Sequence, residues 1–524
     1  MSQRPFLSNI DQRVSKIDVS EHKKAVFILH DQLNMSAWPD WIREEKPLLI
    51  FIESRKKGQS LPYHKKKLIF VLSAMRHFAI ECCNTGFPVC YHATNGHFDD
   101  GIWEVLSANT SLEFSFMTPS EWDTRKRIQA VAHELPNPSE EIPNGFFLTD
   151  ADEFKEKVKD GWRLEFFYRE MRRRTGYLMD GSHPEGGEWN YDEQNRKKLP
   201  AKHQTPVIQS TPVDEITEEV IELGKAYFGD HFGSDEDFDL AVTRDQALAK
   251  LDEFITQRLD LFGPYEDAMA SGKHTIYHSM LSIYMNAGLL LPGEMCDAAE
   301  KAYKEGKARL NSVEGFIRQI IGWREYIRVY YEAMMPDVRE ANYFGFQEDL
   351  PSLYWSGETK MKCMSECVKP VLEDGYSHHI PRLMVLSNFS NLTRTDPGQL
   401  NDWFHLAYVD AYEWVVLPNV LGMSTFADGG ILASKPYVAG GNYINKMSDY
   451  CKHCAYSIKE KTGETACPFN YLYWNFVQEQ RETFTENGRA NFMVNMWNKK
   501  SAEEQSTIIE SSEQFIKALE RGYS

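Results

Sequence analysis

The chain is 524 residues long with 42% hydrophobic and 13% aromatic residues, which allows two to four domains with real cores and excludes a disordered chain. Lys plus Arg at 58 against Asp plus Glu at 77 leaves a net charge of −19, which argues mildly against nucleic acid as a partner and leaves the local basic clusters to decide. Residues 1–11 are polar with no signal-peptide core, and no apolar run reaches the roughly 20 residues that span a bilayer; a cytoplasmic protein that does not enter membranes, its nine cysteines reduced, is expected.

In chain order, residues 25–33 and 48–53 are short apolar runs that read as strands. Residues 63–83 have helical periodicity, with Leu68, Phe70, Val71, Leu72, Met75 and Phe78 on one broad apolar face. Residues 87–93 and 113–117 read as further strands. This alternation predicts an N-terminal, doubly wound parallel sheet over residues 20–135. No GxGxxG follows the first strand, so the dinucleotide fingerprint is absent. Residues 136–235 are poor in periodicity and read as a connector. Within it, residues 176–195 combine Gly181, Pro184, Gly186 and Gly187 with Trp189 and Tyr191, the composition of a long loop that orders on binding. Basic groups cluster at Lys65-Lys66-Lys67, Arg172-Arg173-Arg174 and Arg196-Lys197-Lys198; solvated surface charge is the ordinary use of such runs. Residues 236–524 are mainly helical, with segments near 245–262, 278–291, 294–305, 311–333 and 399–414. The fold class expected is therefore an α/β domain followed by a large all-α domain.

Five of the cysteines lie beyond residue 360: Cys363, Cys367, Cys451, Cys454 and Cys467. The pair Cys451-Lys452-His453-Cys454 is a CxxC turn, which sets two thiolates at a metal-binding separation. With Cys467 and one upstream ligand it makes a four-thiolate site, open to an iron–sulfur cluster or to zinc. Spacing leaves Cys363, Cys367 and His453 all available as the fourth ligand.

Several longer stretches carry a resemblance. They are His30-Asp31-Gln32-Leu33; His64-Lys65-Lys66-Lys67-Leu68 with Ser73-Ala74-Met75-Arg76-His77-Phe78; Phe167-Tyr168-Arg169-Glu170-Met171-Arg172-Arg173; and Gly186-Gly187-Glu188-Trp189-Asn190. To these add Gly315-Phe316-Ile317-Arg318-Gln319-Ile320-Ile321-Gly322-Trp323-Arg324-Glu325-Tyr326, Asp410-Ala411-Tyr412-Glu413-Trp414, and Asn442 through Cys451. Over nearly its whole length the chain resembles the iron–sulfur bacterial cryptochromes and photolyases, the deoxyribodipyrimidine photolyase-related family.

The resemblance implies light-driven repair of (6-4) photoproducts by a monomer that binds FAD in its helical domain. It assigns a [4Fe–4S] cluster to Cys363, Cys451, Cys454 and Cys467, leaving Cys367 spare. Ser279, Leu281 and Ser282 stand where the family grips the flavin pyrophosphate; a helix cap is the plainer use of such serines. Trp323, Arg324 and Asp410 form the other wall of the flavin pocket, with Val416 facing flavin N5. His378-His379 is the implied proton-donor pair, His379 being the acid, since an imidazole titrates near neutral pH. Trp355 and Trp403 match the electron relay, and Phe404 stands where relatives have a redox-active Tyr. Gln319, Trp323 and Tyr437 are implied to wall the flipped lesion, and Arg172, Arg173 and Arg174 to grip UV-damaged DNA. Asp31, Glu53 and His64 are the implied contacts of an antenna, 6,7-dimethyl-8-ribityllumazine, with Lys57 replacing an acidic contact. A blue-light receptor of the same fold, a cyclobutane-dimer photolyase, and an iron–sulfur DNA-binding protein without photochemistry are the competing readings.

Overall fold

The computed structural model of the protein describes residues 18–486 and 491–520; residues 1–11, expected to be polar and leaderless, lie outside them. Five strands make one all-parallel sheet in the order β3-β2-β1-β4-β5: β1 Lys24–Phe27, β2 Leu48–Ser54, β3 Val89–Thr94, β4 Glu113–Met117 and β5 Ser139–Ile142. Ala25 is in register with Leu48 on one side and Phe114 on the other. The period-2 alternation of the strands divides the apolar residues between two faces. Ala25, Phe27, Ile50 and Ile52 meet Ile102 and Val105 of helix Phe98–Leu106 and Ile128 and Val131 of helix Trp122–Glu134. Val26, Ile28, Leu49 and Phe51 meet Ile69, Phe70 and Phe78 of helix Lys65–Asn84. Both faces are thus covered by helices, as an all-parallel sheet requires.

The sheet extends beyond residue 135. β5 is an edge strand with three of its four residues exposed, so it carries no apolar pattern to announce it. β1 ends at Phe27, well short of residue 33, and frees His30, Asp31 and Gln32 at the strand's C-terminal end. The 176–195 segment contains a minimal hairpin, Met179–Asp180 against His183–Pro184.

Beyond the connector the chain is helical. The expected run 311–333 is one continuous rod: an α-helix Leu310–Ile317, a π-helical stretch Arg318–Arg324, and an α-helix Glu325–Met334. A second π-helical stretch is Pro381–Ser387. Such widened turns re-aim side chains and recur at functional sites. Two expected helices are shorter than their apolar patterns. The 278–291 segment is helical only over Ser282–Asn286, because Met280 (φ 60°) and Gly288 (φ 86°) adopt left-handed backbone on either side. The 399–414 segment is the helix Pro397–Ala407, after which Tyr408 is extended. Among the described residues no helix is long and apolar enough to cross a membrane.

Candidate functional site

The short Ser282–Asn286 helix and the second π-helical stretch bring three side chains to Asp410, on the extended chain after Ala407. Arg382, on the second π-helical stretch, donates to its two oxygens at 3.1 and 3.0 Å, and Ser282 Oγ donates at 2.8 Å. Asn286 Nδ2 donates to the Asp410 carbonyl at 2.9 Å. Asp410 is buried, and a fork-to-fork guanidinium–carboxylate pair is the strong, geometrically fixed form of this interaction. Leu281 is fully buried behind the loop, and Ser279 Oγ accepts from Leu281 N at 3.2 Å. Arg258, also buried, donates to the His278 carbonyl at 2.7 Å and keeps its Nε without a partner. The orphaned Arg258 N–H and the Ser279 hydroxyl proton are donors that suit a diphosphate, whereas the Ser282 proton is spent on Asp410. The Arg382–Asp410 pair suits the polar edge of a flavin. These residues fit FAD.

One expectation for this wall, that of Arg324, is corrected. Arg324 is engaged elsewhere: it pairs with Glu325, donates to the Phe146 carbonyl at 2.9 Å, and covers the rings of Phe147 and Trp414 at 4.5 and 5.3 Å. The guanidinium on Asp410 is that of Arg382, which the sequence reading passed over. Val416 is buried and borders a cavity with Lys57, Glu121, His405 and Glu413, whose walls include neither Arg382 nor Asp410.

Beside this pair stand three imidazoles. His278 and His378 stack with centroids 4.2 Å apart and planes 12° from parallel, and His379 sits edge-on to both at 5.4 and 5.9 Å. One nitrogen from each lies within 4.8 Å of the others. Near-parallel stacked rings send their lone pairs alongside each other, not to one point, so the trio handles protons better than it chelates a metal. Burial drives His278 down to about 3 and His378 well below its ordinary value, helped by neighbouring cationic groups; His378 Nδ1 has no partner. His379 differs: its side chain is 46% exposed, with Nε2 3.6 Å from Asp267. Gln319 and Trp323, on the first π-helical stretch, and Tyr437 are half-buried. Trp403 is fully buried, its ring 5.1 Å from both Tyr354 and Phe404 and 5.8 Å from Tyr408, whose ring lies under the Arg382 guanidinium at 4.1 Å. Trp355, next to Tyr354 in the chain, is exposed and packs edge-on to Phe232.

Cys363, Cys451, Cys454 and Cys467 line a single cavity together with Met361, Tyr450 and Ile458. Cys367, one helical turn beyond Cys363, is buried outside that cavity, near the Tyr450 phenol. Burial and the neighbouring thiols push Cys451 up to about 11 and Cys467 up to about 12. Bare, they would hold their protons; bound cations would release them. A zinc ion would draw its sulfurs to about 3.8 Å of one another, given Zn–S near 2.3 Å. Among the described residues no three of these sulfurs lie within 4.8 Å of one another. The cage fits a cluster better than a single ion. Gly441 leaves room for it: a Cβ there would stand 2.9 Å from Cys467 Sγ and 2.5 Å from Ile458 Cδ1.

A cavity of about 230 Å³ lies between the sheet domain and the helical domain. Glu53 is on its wall, but its carboxylate is held by Arg76 at 2.9 to 3.1 Å and by the Tyr91 hydroxyl at 2.7 Å. Asp31 and His64 are not on the wall. Asp31 accepts from Ser120, and His64 caps helix Lys65–Asn84, accepting from Lys66 N at 3.1 Å with its other nitrogen on the Leu372 carbonyl. The polar end is built by His30, Lys57, Lys67, Glu121, His405 and Tyr412, of which only Lys57 is an expected antenna position. His30 Nδ1, His405 Nδ1 and the Tyr412 hydroxyl are buried without partners. Glu121 accepts from Lys57 at 3.5 Å, and burial pushes Lys67 down to about 7. Unpaired polar atoms around a cavity mark a place that awaits polar contacts.

The arginine triplet is corrected as a DNA grip. Arg172 is fully buried and donates to the carbonyls of Tyr177, Leu178 and Trp189. Arg174 is neutralised by Glu153 and Glu170. Only Arg173 is largely exposed, 5.0 Å from the Trp189 ring.

The family model described as deoxyribodipyrimidine photo-lyase-related protein matches residues 26–240. A (6-4) photolyase of Agrobacterium fabrum is 41% identical over 503 residues, which cover 94% of this chain and 99% of that one. In fold, the chain is similar to a bacterial class III photolyase from Agrobacterium tumefaciens (14% identical, TM-score 0.54) and to a cryptochrome of Synechocystis sp. PCC6803 (13%, TM-score 0.57). Each alignment covers 95% of this chain and 98% of the other.

Proposed function

Since the chain belongs to the deoxyribodipyrimidine photolyase-related family, we propose that it is a (6-4) photolyase, an enzyme that reverses (6-4) photoproducts in DNA under light. The observation that carries the proposal is the adjacency of the Arg382–Asp410 pair to an imidazole trio with one exposed member. FAD, reduced and excited by light, would supply the electron that the damaged dimer takes up and returns.

Everything else falls to the chain. Arg382 and Asp410 would hold the isoalloxazine edge, with Ser282 fixing Asp410, while Ser279 and Arg258 would donate to the diphosphate. His278 and His378 stay uncharged because burial disfavours their protonated forms, and they form a dry backing for the third ring. His379 is the trio member exposed toward a substrate, with the Asp267 carboxylate 3.6 Å from its Nε2. It is therefore the acid that meets the group migrating between the two bases. His378 positions it. Tyr354 and Trp403 form an aromatic line to Tyr408, beneath Arg382, and the exposed Trp355 follows Tyr354 in the chain, which supports a route for photoreduction. The thiol cage supports a [4Fe–4S] cluster, and the interdomain cavity supports a lumazine-type antenna held at the end lined by Lys57, Lys67 and Tyr412.

The test is irradiation of the reduced protein with an oligonucleotide that carries one (6-4) lesion. Light-dependent loss of the lesion is expected, and its absence would defeat the enzyme in favour of a light receptor. Loss of a cyclobutane dimer alone would reassign the substrate. Replacing His379 with Ala should abolish repair and leave flavin absorption intact; retained repair removes it as the acid.

A further inference from the structure

Glu266 is a buried acid that the repair scheme does not use. It is 4% exposed, and both carboxylate oxygens accept from side-chain amides: Oε1 from Gln319 Nε2 and Oε2 from Asn195 Nδ2, each at 3.0 Å. Its backbone carbonyl accepts from His278 Nε2 at 2.9 Å. The niche is close-fitting, since a Cβ on Gly315 would stand 3.0 Å from Asn195 Nδ2 and 3.3 Å from Glu266 Oε2. Burial pushes the carboxyl up, whereas the charges of Arg318 and His379 and the Asn195 amide favour the anion. One acid thus ties together the connector, the first π-helical stretch and the imidazole stack.

A carboxylate can only accept, while a primary amide donates from nitrogen and accepts at oxygen. Facing Glu266, the Gln319 amide has one permitted orientation. The reverse would set oxygen against oxygen over the same 3.0 Å. The Gln319 carbonyl oxygen is consequently turned to the half-exposed side, and no described residue donates to it. Without Glu266 a glutamine at that place offers either end.

Resting on the repair reading above, we propose that Glu266 is a positioning residue that sets lesion specificity. By holding the Gln319 N–H groups, it presents the Gln319 carbonyl as an acceptor for an imide N–H or hydroxyl on the flipped base. The 5′ ring of a (6-4) photoproduct has both donors.

The experiment measures dark binding of the flavin-loaded protein to two oligonucleotides, one with the native lesion and one with its 5′ imide nitrogen methylated. The wild-type protein is expected to bind the methylated lesion about tenfold more weakly, the value of one good hydrogen bond to a polar site. Glu266→Gln, which frees the amide to turn, should bring the two within about threefold. Gln319→Leu, which leaves Glu266 in place, should erase the discrimination as well, and covers the case in which Glu266→Gln fails to fold. A merely structural acid would lower flavin content and leave the ratio intact. Equal binding of both oligonucleotides by the wild-type protein, or full discrimination by Glu266→Gln, overturns the inference while repair stands. Failure to bind either lesion together with failure to repair brings down the function and the inference at once.

Discussion

Replacing Arg382 with Met isolates the pair on which the flavin wall is built. The side chain keeps its bulk and loses both hydrogen bonds to Asp410, at 3.1 and 3.0 Å. Asp410 is then left buried with the Ser282 hydroxyl as its remaining side-chain partner. Removing one member of a buried ion pair costs about 3–5 kcal/mol, because the survivor's charge stays desolvated. The Arg382 side chain retains 24% exposure, so water relieves part of that cost and the lower figure, about 3 kcal/mol, applies. That is roughly two decades in an equilibrium constant. Urea unfolding followed by far-UV circular dichroism, with flavin release followed in parallel by fluorescence, reads it directly. Adding Asp410→Asn to the same chain removes the stranded charge and should restore most of the loss, so that the double variant is more stable than Arg382→Met alone. A single variant within 1 kcal/mol of the parent, or a double variant no better than the single one, would refute the reasoning.

Arg172→Lys should destabilise the protein by about 2 kcal/mol, since one ammonium cannot reach three carbonyls, and should leave the salt dependence of DNA binding unchanged; Arg173→Ala should lower that salt slope at little cost in stability. Cys454→Ala should lose iron, as measured by metal analysis after anaerobic purification, and zinc in place of iron in the parent protein would overturn the cluster. The folded value of Lys67, about 7, lies below its ordinary 10.5, so between those limits the folded chain binds fewer protons than the unfolded one. Its contribution to stability therefore rises with pH from about 7 upward, and Lys67→Met should flatten the pH dependence of the melting temperature over that window relative to the parent.

Much of this architecture was legible in residue order. The alternation of short apolar runs with one helical face gives the doubly wound sheet, and helix Lys65–Asn84 falls within two residues of its periodic pattern. β5 was hidden because an exposed edge strand, Ser139 to Ile142, has no face to bury. Identity of residues was easier to read than their direction. Arg172 belongs to a run of three arginines, yet helix geometry places it four residues after the buried Tyr168, on the face that packs. The Arg382–Asp410 contact joins two segments through a turn of tertiary structure, and nothing local in either segment announces it. Asp31, Glu53 and His64 lie on the matching segments, but Ser120, Arg76 and Lys66 donate to them, Asp31 keeping one oxygen without a partner and lying off the cavity wall, and the polar wall falls to neighbours such as His30 and Lys67.

The four thiols that meet in one cavity arrive from three separate stretches of chain. Any group that binds all of them closes a hoop from Cys363 to Cys467, and inside that hoop lie His378, His379, Arg382, Trp403 and Asp410. Fastening so long a hoop removes several kcal/mol of freedom from the unstructured chain, as other covalent cross-links do. The fastening would need no electron of its own to matter to photochemistry: it would clamp the His378–His379 doublet and the Arg382–Asp410 pair, which the hoop encloses, against one another.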